Sequence, residues 1–129
     1  MLKDKVAIVT GGTRGIGYAI VKKYLENGAK VVLFGSREET VSKALASLKE
    51  ENADWEVSGA WPNLGDAEAV AKEIEAVKEK YGRIDILVNN AGISDATPID
   101  SYTADQFNKV MQLNVNAVMN GIMPVVKIM

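Results

Sequence analysis

Residues 6–17 have the sequence VAIVTGGTRGIG, which combines an apolar run with a glycine-rich turn. Its first part, Val6–Val9, is an apolar run that predicts a short buried strand, and Tyr18–Glu26 beyond it has the period of an amphipathic helix. Between them, Thr10–Gly17 is a glycine-rich turn. Such a turn lets the backbone approach a pyrophosphate, and the helix N-terminus supplies free N–H groups and a positive dipole end. The stretch therefore predicts the start of a dinucleotide-binding unit.

Composition and charge exclude several other classes. The chain has 129 residues, no cysteine and no histidine, and its net charge is -2. It therefore has no disulfide framework, no thiolate site and no imidazole ligand, and we predict no metal site. The small net charge predicts no binding to nucleic acid or to an anionic membrane. Met1–Lys5 lead into a strand without a signal-peptide pattern, and no apolar run reaches the roughly 18 residues of a spanning helix, so we expect a cytoplasmic protein.

Strand and helix patterns alternate along the whole chain. Strands are predicted at Lys5–Thr10, Lys30–Phe34, Trp55–Ala60 and Ile84–Asn89. Helices are predicted at Ile16–Asn27, Glu38–Glu51, Asp66–Tyr81 and from Thr103 onward, with Pro124 expected to kink or interrupt the last one. This alternation predicts an α/β fold, a Rossmann-like doubly wound parallel sheet with strand order 3-2-1-4. We expect residues 1–129 to form part of one such domain.

The glycines of the turn have the spacing G-x-x-x-G-x-G, which is neither G-x-G-x-x-G nor a Walker P-loop. We expect Gly11 to permit the tight exit from the strand, Gly15 to allow close approach to phosphate, and Gly17 to let the helix pack near the sheet. A second motif, Asn89–Gly92, follows the fourth strand, and ligands of open α/β sheets bind where the strand order reverses, here between strands 1 and 4. The plainer alternative is two ordinary turns without a ligand.

These motifs resemble those of the short-chain dehydrogenase/reductase family. Thr10–Gly17 matches its T-G-x-x-x-G-I-G, Asn89–Gly92 matches its N-N-A-G, and Asn114 matches the helix asparagine of its catalytic tetrad. Within the family the chain is most similar to bacterial hydroxysteroid dehydrogenases and 3-oxoacyl-carrier-protein reductases. The resemblance implies hydride transfer between a nicotinamide and a small-molecule secondary alcohol or ketone.

The family's catalytic tyrosine, its lysine four residues on, and its serine have no counterpart here. Tyr18 and Lys22 have the right spacing, but they lie on the first predicted helix, and we interpret this match as a coincidence. The resemblance therefore covers the N-terminal half of such an enzyme, truncated before the other catalytic groups, and implies a catalytic role for Asn114 alone. We expect the chain by itself to be inactive, because hydride transfer needs the missing groups in tightly defined positions.

The resemblance implies a set of cofactor-binding residues: Gly11, Thr13, Arg14, Gly15, Ile16, Gly17, Ser36, Arg37, Asn63, Leu64, Asn90, Ala91 and Gly92. No acidic residue occurs in Phe34–Arg37, where an enzyme that uses NAD places one for the ribose hydroxyls. Arg14 and Arg37 suit the 2′-phosphate of NADP(H), which we favour as the cofactor. In the alternative, both arginines are solvated, and Glu38 or Glu39 turns in to bind NAD(H).

The adenine side of the predicted site departs from the family pattern. Asn63 and Leu64 stand where the family has an aspartate and an aliphatic residue. The amide oxygen of Asn63 can still accept a hydrogen bond from the adenine amino group, but a charge-assisted bond is lost. Trp61 could lie near the adenine or pack against the edge strand.

Exposed apolar surface predicts self-association. Ile84–Val88 would form an apolar edge strand with unpaired backbone groups, and the last helix carries Met111, Met119, Met123 and Met129. We expect a two-fold dimer through the fourth strand or the last helix. Three interpretations remain at this stage: part of an NADP(H)-dependent oxidoreductase, a nucleotide-binding module without turnover, or a self-assembling unit that binds nothing tightly.

Overall fold

The computed structural model describes residues 1–129 and contains one four-stranded parallel sheet in the order β3-β2-β1-β4. The strands are β1 Val6–Thr10, β2 Lys30–Phe34, β3 Val57–Ala60 and β4 Ile86–Val88. The α-helices are α1 Gly15–Glu26, α2 Glu38–Glu51, α3 Ala67–Tyr81, α4 Ala104–Met111 and α5 Ala117–Ile128, and a 3-10 turn spans Ile99–Ser101. The predicted fold class and strand order are confirmed.

Strand β1 is the centre of the core because it is paired on both sides and covered on both faces. All five of its residues are buried, and their side chains alternate between two clusters. Ala7 and Val9 pack with apolar residues of α1 and α2 on one face. Val6 and Ile8 pack with apolar residues of α3 and α5 on the other. Because helices pack on both faces of β1, the strand holds the start of the following glycine turn in a defined position.

Two predicted strands begin two residues later than their sequence patterns indicate: β3 begins at Val57 and β4 begins at Ile86. The backbone N–H of Trp55 donates to the carbonyl of Asn52, which keeps it in a turn. The carboxylate of Asp85 accepts from the N–H of Val6 at 2.9 Å and from Arg83 at 2.7 and 2.8 Å. The ends of α3 follow the prediction: Asp66 caps its N-terminus, and Gly82 follows it with φ of +79°.

The last helical region is interrupted, but not at Pro124. Thr103 and Gln106 form a capping box at the start of α4, and a π-helical segment, Gln112–Asn116, joins α4 to α5. Helix α5 continues through Pro124, so the predicted interruption there was wrong. The proline removes one backbone donor, but the neighbouring Val125 is buried at 1% exposure, and this packing holds the helix together. No helix has the length and apolar character needed to cross a membrane.

Candidate functional site

The candidate site forms where β1 and β4 end side by side. The parallel register pairs Val9 with Val88, so the glycine turn after β1 lies beside Asn89–Gly92 after β4. This is the point at which the strand order reverses, because β2 follows β1 on one side and β4 lies on the other. Open parallel sheets bind ligands at this position.

The hydroxyl of Thr10 joins the two motifs. It accepts hydrogen bonds from the backbone N–H groups of Asn90 and Ala91 at 3.1 and 3.0 Å, and it donates to the carbonyl of Val88 at 3.4 Å. The side-chain amide of Asn90 donates in turn to the carbonyl of Gly11 at 3.1 Å. Thr10 is only 6% exposed, and these part-buried bonds hold the floor of the site in place.

The glycines of the turn are required for two different reasons. Gly11 and Gly15 have φ values of +64° and +58°, the left-handed region that favours glycine. Gly17 has no room for a side chain, because a Cβ there would lie 2.0 Å from the carbonyl oxygen of Gly11 and 2.5 Å from the side-chain nitrogen of Asn90. The tight turn at Gly11 and the close packing at Gly17 follow the sequence expectation, and the approach of a phosphate to Gly15 stays a prediction.

The N-terminus of α1 is open to an anion. No side chain caps it, and no acidic residue lies in its first turn. Helix α3 is capped by Asp66 and helix α4 by Thr103, so their first N–H groups are already bound. The free N–H groups and the positive dipole end of α1 remain for a ligand. Gly15 and Ile16, its first two residues, line the adjacent cleft.

A cleft of about 620 Å³ runs from the glycine turn to the loop after β3. Its volume is typical of a small-molecule or cofactor site. Most of the predicted cofactor-binding residues line it: Gly11, Thr13, Arg14, Gly15, Ile16, Ser36, Asn63, Leu64, Asn90, Ala91 and Gly92. Gly17 lies behind the turn, and Arg37 and Asn114 are not among the lining residues.

Asn114 lies in the π-helical segment, and its side chain bonds to the backbone of Ile93, the residue that follows the N-N-A-G motif. Its side chain accepts from the N–H of Ile93 at 2.8 Å and donates to the carbonyl of Ile93 at 2.7 Å. This two-way bond fixes the wall of the cleft beside Gly92. A π-helical turn widens the helix, and such turns are frequent at functional sites.

The opposite end of the cleft contains Trp61, which is 46% exposed and lines the cleft instead of packing fully on the sheet edge. Trp55 is the tryptophan that packs against the core. The adjoining loop is held by Gln112 and Asn120, two amides that the sequence reasoning missed. The sequence has an amide side chain at every fourth position of this region: Gln112, Asn116 and Asn120. Because residues four apart lie on the same side of a helix, this spacing could have predicted that the three amides share one face.

Tyr18 and Lys22 do not form a catalytic pair. Tyr18 packs against the core cluster on the α1 side of the sheet. Lys22 binds Glu51 at 2.7 Å, and this hydrogen bond raises the pKa of the lysine. Near the cleft, Asp95 accepts from the hydroxyl and the N–H of Thr97, which lowers the pKa of its carboxyl.

Comparison with known proteins agrees with this geometry. The family model described as short chain dehydrogenase matches residues 5–129. A 3α-hydroxysteroid dehydrogenase of Mediterraneibacter gnavus is 56% identical over 129 residues, which are 100% of this chain and 52% of that protein. The 3-oxoacyl-[acyl-carrier-protein] reductase FabG of Chlamydia muridarum is 33% identical, over 93% of this chain and 48% of its own length. An NADP-dependent (R)-specific alcohol dehydrogenase of Lentilactobacillus kefiri is 35% identical, over 93% and 46%.

Among solved structures, a short-chain dehydrogenase from Novosphingobium aromaticivorans superposes with a TM-score of 0.93 at 31% identity, over 98% of this chain and 46% of that one. The chain thus spans about half the length of the relatives that it matches. Three observations agree: the hydrogen-bonded glycine turn, the strand order, and the match of residues 5–129 to the family model. The chain belongs to the short-chain dehydrogenase family.

Proposed function

We propose that these 129 residues are the N-terminal, dinucleotide-binding part of an oxidoreductase that transfers a hydride between a nicotinamide and a secondary alcohol or ketone. One observation carries the proposal: Thr10 locks the glycine turn to the N-N-A-G motif beside the uncapped N-terminus of α1. The relative at 56% identity acts on a 3α-hydroxysteroid by its name, which favours a hydroxysteroid over a 3-oxoacyl substrate for the whole enzyme.

For the cofactor we propose NADP(H). Arg14 lines the cleft, Gly35 and Ser36 line it at the end of β2, and no acidic side chain lines it at all. An arginine fork is well suited to a 2′-phosphate, which NADH lacks. Glu38 and Glu39 lie in the first turn of α2, where a carboxylate interacts favourably with the helix dipole, and neither lines the cleft. The NADP-dependent relative is consistent with this choice.

The test is calorimetric titration with NADPH and with NADH. We expect the wild-type chain to bind NADPH in the micromolar range and NADH more weakly. Arg14→Gln should weaken NADPH binding about tenfold and change NADH binding less than about twofold, because the lost hydrogen bonds are charge-assisted and reach only the 2′-phosphate. Lys72→Gln on the exposed face of α3 makes the same charge change as a control. An equal loss for both nucleotides in Arg14→Gln would contradict the assignment.

We propose further that these residues alone bind the nucleotide without turnover. The only tyrosine with a lysine four residues on is Tyr18, and both partners of that pair are engaged on α1. Asn114 is the one residue of the family's catalytic set that matches here, and it is held by Ile93. The chain mixed with NADPH and a 3-ketosteroid should leave the absorbance of NADPH unchanged. Steady oxidation of NADPH that depends on the ketone would refute this part of the proposal.

Self-association through α4 and α5 is a further part of the proposal. Phe107, Met119, Met123 and Val126 are 53%, 49%, 58% and 62% exposed, and their spacing places them along one side of the helical region. The free edge of β4 is the weaker candidate, since it is only three residues long and half-buried. We therefore place the dimer contact on the helices.

Light scattering tests the dimer. Wild-type chain should have twice the mass of one chain at micromolar concentration, and Met119→Lys combined with Met123→Lys should give the monomer, because two ammonium groups would have to be buried at the contact. Ala76→Lys, on the exposed face of α3, is the control and should stay dimeric. Wild-type chain that is monomeric throughout this range would refute the proposed contact.

A further inference from the structure

Gly35 is the first residue after β2, at the point where the chain leaves the sheet beside the cleft. It lines the cleft together with Phe34 and Ser36, and its N–H donates to the carbonyl of Ala60 at 3.0 Å. The backbone at Gly35 is therefore still held by β3. An enzyme that uses NAD places a carboxylate near the end of its second strand, where it accepts hydrogen bonds from the ribose hydroxyls. Gly35 is one position from which an acidic side chain could do so.

No side chain fits at position 35, although the backbone conformation there would permit one. Gly35 is not among the glycines with positive φ, so other residues could adopt its backbone angles. The obstacle is packing, because a Cβ at this position would lie 2.6 Å from Cγ2 of Thr13 and 2.6 Å from Cγ2 of Val41. Ordinary contacts begin at 3.4 Å, so each methyl group would have to move by about 0.8 Å.

Val41 cannot make this room, because both of its methyl groups fill spaces beside glycines. Its side chain is 1% exposed and belongs to the core cluster on the α1 and α2 face of the sheet. Its Cγ2 occupies the space that a Cβ would need at Gly35, and its Cγ1 lies 2.5 Å from the position of a Cβ at Gly59. Valine has a single side-chain torsion, and rotating it to clear position 35 would press a methyl group into neighbouring core atoms.

Thr13 closes position 35 from the side of the glycine turn, and that turn is fixed to β2. The N–H of Gly12 donates to the carbonyl of Phe34 at 3.2 Å, immediately before Gly35. Gly12 has no free space of its own, since a Cβ there would lie 2.8 Å from Cβ of Leu33. Thr13 therefore cannot withdraw without separating the turn from the strand. Position 35 is closed by one methyl group on each side.

We propose that Val41 and Thr13 determine the choice of dinucleotide, because they exclude a carboxylate from position 35. The inference rests on the proposed nucleotide-binding function and names the packing that sets its cofactor preference. With glycine at position 35, the 2′-phosphate of NADP(H) meets no negative charge there, and Arg14 can bind it. Val41 is buried in the core and does not line the cleft, so it acts through Gly35 as a positioning residue.

The experiment introduces the excluded carboxylate in two backgrounds and measures NADH and NADPH binding by calorimetry. In the otherwise wild-type chain, Gly35→Asp should weaken NADH binding several-fold, because the turn and β2 are forced apart. The relieved background, Thr13→Ser with Val41→Ala, removes both obstructing methyl groups and keeps a hydroxyl at position 13. There the same Gly35→Asp should tighten NADH binding about tenfold, since the carboxylate can now accept from the ribose hydroxyls. A purely structural role would not reverse the sign of the NADH effect.

Urea unfolding separates the packing from the charge and does not depend on a nucleotide. Gly35→Ala adds only the Cβ and should lower the unfolding midpoint of the wild-type chain by about 1 M urea. In the relieved background the same substitution should lower the midpoint by less than about half as much. Ser36→Asp adds the charge at the exposed neighbouring position without the crowding, and its midpoint should stay near that of the wild type.

Tighter NADH binding in Gly35→Asp of the otherwise wild-type chain would overturn the inference, and so would a wild-type midpoint in Gly35→Ala. If the wild-type chain bound neither NADH nor NADPH, the proposed function itself would fail, and the urea midpoints would still decide whether position 35 is closed. If the relieved background does not fold, the wild-type background decides alone, through the direction of the NADH change and the midpoint of Gly35→Ala.

Discussion

Replacing Gly17 by alanine tests whether the glycine turn is built as described. The new Cβ would lie 2.0 Å from the carbonyl oxygen of Gly11 and 2.8 Å from its carbonyl carbon. Ordinary contacts begin at 3.4 Å, so the turn and α1 must separate by about 1.4 Å, and no flexible side chain can yield in place of the Gly11 backbone. The same movement breaks the 3.1 Å bond from Asn90 to Gly11. Overpacking of roughly 1–3 kcal/mol and one lost hydrogen bond of roughly 1 kcal/mol together predict a loss of about 3 kcal/mol in the free energy of unfolding.

The assay for Gly17→Ala is urea unfolding followed by tryptophan fluorescence, with NADPH titration of the folded variant. We expect the unfolding midpoint to fall and NADPH binding to weaken by tenfold or more, since the N–H groups of α1 move away from the phosphates. Gly15→Ala is the control, because its Cβ would meet nothing within 4 Å and only the φ of +58° is unfavourable. That costs about 1–2 kcal/mol. A free energy of unfolding for Gly17→Ala within about 1 kcal/mol of wild type would refute the proposed clash, and so would an equal loss in Gly15→Ala.

Two further predictions concern the frame of the site. The hydrogen bond from Arg83 and that from the N–H of Val6 hold the pKa of Asp85 below its ordinary value of 3.8. This carboxylate therefore stabilises the fold above about pH 4, and its contribution is lost as the pH falls through the lowered pKa. In wild type, the urea concentration at the unfolding midpoint should fall as the pH drops below about 4. In Asp85→Asn this fall should be smaller, and an equal fall in both proteins would contradict the prediction. Asn114→Leu removes both bonds to Ile93, so the amide of Ile93 should exchange with deuterium at least tenfold faster, and a rate equal to wild type would show that the loop is held otherwise.

The sequence was sufficient to predict the features that depend on local pattern. The predicted glycine turn is present, with positive φ at Gly11 and Gly15, and the predicted strand order places β1 inside the sheet. The ends of α3 followed from Asp66 and Gly82 alone, because caps are local hydrogen bonds and local backbone geometry. The strand order followed from alternation and from the handedness of the connections.

Features set by distant partners could not be predicted in the same way. Asp85 lies just before β4, and its carboxylate accepts from the N–H of Val6, which is 79 residues away in the sequence. Helix α5 passes through Pro124 because packing of Val125 outweighs the lost donor. Each of these depends on contacts that no local window of sequence contains.

The most direct test of the central claim, that this chain carries a preformed dinucleotide site, is an amide NMR titration of the chain with NADPH. We expect shifts that saturate at micromolar NADPH and concentrate in Thr13–Ile16, at Asn63 and Leu64, and in Asn90–Gly92, which all line the cleft. Shifts that avoid these three segments, or none at millimolar NADPH, would contradict the claim.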